Sequence, residues 1–249
     1  MIDQITINFK SEILPAPFAH TCTMDIKFEN EKIYVNAKLL YIDRQHLTEE
    51  EIWEEGFSGE DDFIWEGEIY TIWKGYLCDI ANSETDLKES SNNQGETIEV
   101  KIKRESEQVE IQNHKRWVYV MQELLQAIYE INQFEEPLTI QFKEINNTES
   151  NLYKFIFLFK SLETKILLNK NNTLNTYDGN WNECRNIIKE VFIPDYQENK
   201  ILVEEPKSPG MYVDPGEGVW YNSSDGIKIG KKSYNILNLK NLIESIIKN

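Results

Sequence analysis

The chain has 249 residues, 40% of them hydrophobic and 12% aromatic, with 43 acidic against 26 basic side chains and a formal net charge of −17. That composition supplies a folded core and excludes disordered, collagen-like and coiled-coil classes. So negative a balance argues against direct nucleic-acid binding, which needs Lys and Arg against phosphate, and against docking on anionic membranes.

Taken in order, Ile5 and Ile7 alternate with polar neighbours in an opening strand. Met24–Ile26–Phe28 and Ile33–Val35–Ala37–Leu39–Tyr41 keep the same period across Glu29–Asn30–Glu31, which predicts an antiparallel hairpin. Thr48-Glu49-Glu50-Glu51 has the form of a capping box, opening a short helix anchored by Ile52 and Trp53 and stopped at Gly56. From Phe63 to Tyr76 apolar residues fall on both strand parities, which predicts a long strand or hairpin, with Gly67 or Gly75 at a bulge or turn. The stretch 82–96 has one large apolar residue, Leu87, and reads as a loop or linker.

Ile98–Val100–Ile102 and Val109–Ile111 predict a second hairpin. Trp117, Met121, Leu124, Leu125, Ile128 and Ile131 then recur at helical spacing up to a stop at Pro137. Leu138–Ile140–Phe142, residues 152–159 and Ile166–Leu168 read as strands, with a turn at Asn146–Asn147. Asp178 or Asn180 caps a helix carrying Trp181, Cys184, Ile187, Ile188 and Val191. Beyond Pro194 come a strand at Ile201–Val203, a Pro/Gly-rich loop over 206–218, strands at 219–221 and 227–229, and a terminal amphipathic helix with Leu239, Leu242, Ile243, Ile246 and Ile247 on one face. The order strand, strand, helix recurs over 19–56, 98–132, 138–193 and 199–248, without residue-level identity between the copies. The expected class is α+β: mostly antiparallel sheets built from hairpins, with helices following hairpins and packing on one face. The expected division is an acidic β-rich domain over 1–81, a loop or linker over 82–96 and an α+β domain over 97–249, with a single domain as the alternative.

Charge is unevenly spread. Residues 1–96 hold 21 acidic and 7 basic side chains, and 43–68 alone hold eleven carboxylates against one base, Arg44. Interleaved there are Trp53, Phe57, Phe63 and Trp65, followed by Tyr70, Trp73 and Tyr76. Carboxylates among aromatics suit an electrostatic docking face for a cationic protein. The partner-binding candidates are Glu50, Glu54, Asp61, Asp62, Trp65 and Glu68. The same residue types also fit a solvated helix cap with core aromatics. Glu60, Asp61 and Asp62 could offer oxygen ligands, but their order does not match a calcium-loop spacing.

Tyr212, Asp214, Trp220 and Asp225 share a loop-rich segment and form a weaker ligand-binding candidate. His20 and Cys22, two apart on a strand, lack a third orienting group for nucleophilic chemistry. His46 and His114 sit before helices as turn residues. Gly216–Glu217–Gly218 lacks the features of a phosphate loop, and no G-x-S-x-G elbow occurs. No catalytic residue, metal site or cofactor is assigned. The opening residues carry no basic leader or apolar run, no stretch reaches membrane-spanning length, and three scattered cysteines suggest no disulfide framework. The expectation is a soluble, cytoplasmic, non-enzymatic protein-binding module — inhibitor, immunity-type antidote or adaptor — for a basic partner, with no nucleic acid or membrane engaged and the oligomeric state open. The alternative is a carbohydrate-binding or hydrolase-like protein with a cleft lined by Trp and carboxylates.

Overall fold

Period-two alternation of apolar residues builds sheets with one covered face. The computed structural model describes residues 1–11, 14–83, 96–112, 114–230, 232–233 and 235–248. In it β1 (Ile2–Ser11) buries Ile5, Ile7 and Phe9, β2 (His20–Glu29) buries Cys22, Met24 and Ile26, and β3 (Lys32–Tyr41) buries Ile33, Val35 and Ala37. The short helix α1 (Glu49–Glu54) leads to β4 (Phe63–Ile69), which pairs with β3.

The expected strand or hairpin does not continue past Ile69. Residues 72–83 form helix α2 (Ile72–Ser83), burying Trp73, Leu77, Ile80 and Ala81. Apolar residues on both parities of 63–76 conceal a change of period from two to about 3.6 within that stretch. β5 (Glu96–Arg104) and β6 (Gln108–Gln112) form the expected hairpin, and α3 (Lys115–Ile131) carries the expected stripe, with Trp117, Val120, Leu124, Ala127 and Ile128 buried.

β5 pairs with β1 through Ile5↔Ile102 and Phe9↔Ile98, so the first sheet runs β4-β3-β2-β1-β5-β6, antiparallel throughout. The strands before and after 82–96 therefore share one sheet; within that segment, 84–95 lie outside the described residues. The chain divides into two compact units, Met1–Glu135 and Glu136–Asn249.

In the second unit β7 (Leu138–Ile145), β8 (Ser150–Leu158), β9 (Glu163–Lys170) and β10 (Thr173–Gly179) form a meander. β10 fills a stretch where the sequence predicts no element. Every side chain from Thr173 to Asp178 is exposed, so no burial pattern marks it. What makes the strand is its turn: Asn171 and Asn172 take φ of +47° and +68°, the two left-handed residues of a tight hairpin. α4 (Trp181–Phe192) follows, with the Asn180 side chain accepting the Glu183 N–H as N-cap, and Trp181 packs edge-on against Phe157 and Phe159.

After the short strands β11 (Asp195–Tyr196) and β12 (Ile201–Leu202), the expected loop over 206–218 contains a strand, β13 (Gly210–Asp214). It pairs with β7; flanking Pro and Gly residues hide it in the sequence. β14 (Trp220–Asn222) completes the second sheet, in the order β10-β9-β8-β7-β13-β14-β12. β15 (Ile227–Ile229) and β16 (Lys232–Ser233) join β11 in a small third sheet, and α5 (Ile236–Lys248) buries Ile236, Leu239, Ile243 and Ile246. The fold is α+β with antiparallel sheets.

The recurrence is larger than the fifty-residue spacing suggests. Each unit lays down a four-stranded meander, then a helix, then a strand pair returning beside the first strand, then a final helix; the second unit adds the short strands β11, β12, β15 and β16 around its returning pair. Among the described residues no helix is long and apolar enough to cross a membrane.

Candidate functional site

The acidic stretch divides among three local structures. In α1 the Thr48 side chain accepts the Glu51 N–H (3.3 Å) while the Glu51 carboxylate accepts the Thr48 N–H (2.8 Å), closing the capping box. Those bonds hold the Glu51 carboxyl below its ordinary range. Six residues offer one buried position, Ile52, so Glu49, Glu50, Glu54 and Glu55 stand in solvent beside Trp53, which is 65% exposed.

The loop after α1 folds around Arg44. Gly56 turns the chain at φ +81°, and Phe57 packs edge-on against Phe18 and Tyr41. The Arg44 guanidinium lies 3.9 Å from the Tyr41 ring centre and 4.9 Å from that of Phe57. It donates to the carbonyls of Pro17 and Ser58 and, at 2.8 Å, to the Asp61 carboxylate. Asp61 also accepts the N–H and hydroxyl of Ser58. Partial burial pushes the Asp61 carboxyl up, but Arg44 and Ser58 outweigh it and hold it below its ordinary range. Asp62 accepts the Tyr41 N–H at 2.8 Å, pinning the entry to β4.

Along β4 one parity turns inward and the other outward. Phe63 packs edge-on against Tyr129 and Phe134. The Trp65 indole N–H donates to the Asn132 side chain at 3.0 Å, and its ring crosses Gly67 so closely that a Cβ there would stand 2.4 Å from it. The opposite parity presents Ile64, 66% exposed, with Glu66 and Glu68. Glu66 accepts from Asn36 (3.2 Å), and Glu68 pairs with Lys32 (2.8 Å).

Of the six partner-binding candidates, Glu50, Glu54, Asp62 and Glu68 are exposed, while Asp61 and Trp65 are half-buried and bonded inward. Two of the eleven carboxylates meet a base; the other nine form no ion pair among the described residues. Of the other aromatics, Trp73 is fully buried and Tyr70 half exposed, while Tyr76 donates to Glu123 at 2.6 Å. The residues missed by sequence reading are Arg44, whose aromatic neighbours 17–58 supply, and the outward Ile64, visible only once β4 has a parity.

The four residues of the second candidate set differ in burial and in partners. Asp214 is buried and anchors its loop: Oδ1 accepts the N–H groups of Gly216, Glu217 and Gly218, and Oδ2 accepts from Gln141. Tyr212 is buried with its hydroxyl donating to the Ser208 carbonyl, Trp220 is buried, and Asp225 is exposed and paired with Lys200 at 2.9 Å. His20 and Cys22 share the covered face, but burial pushes the Cys22 thiol up to about 12, and His20 is held by the Phe18 carbonyl at 2.9 Å. Such a thiol is not a nucleophile near neutral pH. Among the described residues no group of three or more His, Cys, Asp or Glu side chains is arranged to hold a metal ion. In comparisons with protein-family models, curated proteins and solved structures, nothing matches this chain.

Proposed function

We propose that the chain is a protein-binding module that receives a basic protein on the acidic surface of its first unit, formed by α1 and the outward parity of β4. One observation carries this reading: among the described residues, nine of the eleven carboxylates in 43–68 form no ion pair, on backbone held by a capping box, the Arg44–Asp61 pair and a sheet edge. Exposed Trp53 and Ile64 add apolar contact area amid the charge, the mixture from which interface anchors are made. Glu50, Glu54 and Glu68 are the contact residues; Asp61, Asp62 and Trp65 hold the surface in place. A Trp-lined cleft gains no support, since Trp73 lies in the core and Trp65 is turned inward.

The test is capture from native lysate at low salt with elution by a salt gradient, since the screening length shrinks from about 30 Å at 0.01 M to about 8 Å at 0.15 M. The expected partner is basic, elutes early, and is lost when Glu50 and Glu54 are both changed to Lys. A partner retained equally at both salts, or held by the doubly reversed chain, overturns the reading.

A further inference from the structure

We propose that β10 is a self-docking edge: two copies of this chain pair antiparallel along Thr173–Gly179, about a two-fold axis at Thr176, joining their second-unit sheets into one. β10 is an outer strand of its sheet and, among the described residues, pairs only with β9. Its register places Thr173 opposite Lys170, the closing pair of a two-residue turn, and the Asn171 N–H points the other way, to the Ser150 carbonyl. In an antiparallel ladder this phase aims the main-chain groups of Leu174, Thr176 and Asp178 away from β9. The side chains leave that edge open: Leu174 is 63% exposed and Tyr177 39% exposed.

Natural sheets guard such edges with lysine, proline, bulges or very short strands. β10 has none of these over seven residues, and its single charge, Asp178, stands near its end. The self-pairing is complementary. Thr176 meets Thr176 of the second copy, Leu174 meets Asp178, and Asn175 meets Tyr177, so no like charges oppose each other and each outward pair exchanges two main-chain hydrogen bonds.

The other edges do not fit a second copy. On β4 the Tyr41 N–H, directed to Asp62, sets the phase that turns Ile64, Glu66 and Glu68 outward, so a two-fold at the strand centre would press Glu66 against its own equivalent. β6 carries Glu110 at its middle, and β12 has two residues.

The experiment is sedimentation equilibrium of the full chain over a wide concentration series. The expected result is a shift from one chain mass to twice that mass. With it, the amides of Leu174, Thr176 and Asp178 become protected from hydrogen exchange as concentration rises. Thr176→Pro removes an outward N–H that has no partner among the described residues, and Thr176→Lys sets like charges face to face at the axis. Each raises the dissociation constant by about tenfold or more with unchanged far-ultraviolet dichroism. A single-chain mass at every concentration, a dimer that survives both substitutions, or growth beyond two copies overturns the proposal, because each copy has one such strand and the pairing closes on itself.

Discussion

The two units share a strand order, yet the first carries 28 acidic against 12 basic side chains and the second 15 against 14. Nearly all of the chain's net negative charge therefore belongs to one copy of the plan. Both copies bury large aromatics, Trp73 and Trp117 on helices α2 and α3 in one, Phe155 and Phe157 on strand β8 in the other. Net charge thus varies freely over a topology that burial specifies, and it governs what each surface meets rather than how the chain folds. Charge is also handled differently. The second unit pairs its buried Lys143 with Glu205, and Lys240 with Glu144 at 2.6 Å, while the first leaves most of its acid in solvent.

This comparison breaks most readily in the cores. Trp73→Ala and Phe155→Ala should each cost about 3–5 kcal/mol, read from the urea midpoint; a much smaller loss in either unit would mean that burial does not hold the two alike. Asp214→Ala leaves three N–H groups and the Gln141 amide without their acceptor, and should cost about 1–3 kcal/mol.

Asp61→Asn gives the counterpart in the acidic unit and adds a pH signature. Its folded pKa is depressed, so its stabilisation is present above the unfolded carboxylate range and is lost as pH falls through the folded value. The parent chain should therefore lose more stability than the variant during acid titration; parallel titrations would remove Asp61 from the loop's support.

Gly67→Ala drives a Cβ into the Trp65 ring and should cost about 1–3 kcal/mol with a shift in tryptophan emission. Gly179→Ala, on the fourth strand of the other meander, meets the Cys184 sulfur at 2.6 Å and should behave alike. The smallest effect is expected at the surface: Glu50→Lys with Glu54→Lys should change stability by no more than about 0.5 kcal/mol per site while abolishing partner capture.

Local signals were readable in the sequence; distant ones were not. The Thr48–Glu51 box and the α3 stripe depend on spacings within a few turns, and both form where the spacing puts them. α2 was obscured because Phe63–Tyr76 is apolar on every parity, β10 because it buries nothing, and β13 because glycine and proline surround it. The pairing of β1 with β5 joins residues such as Asn8 and Glu99, 91 positions apart, and no local pattern announces it. At the candidate site, exposure of Glu50 and Glu54 follows from a short helix with one apolar anchor. That Trp65 turns inward depends on Asn132, 67 residues away, and that Asp61 is neutralised depends on where Arg44 is steered by two rings.

Because β1 lies between β2 and β5, its place in the sheet has a consequence for synthesis. As the chain leaves the ribosome, the meander can close on one side of the first strand at once, while the other side waits for residues 96–104. β7 waits in the same way for β13. Each nascent unit thus carries an open ladder through the middle of its own translation, and the step that seals it is the most non-local strand pairing of its main sheet among the described residues.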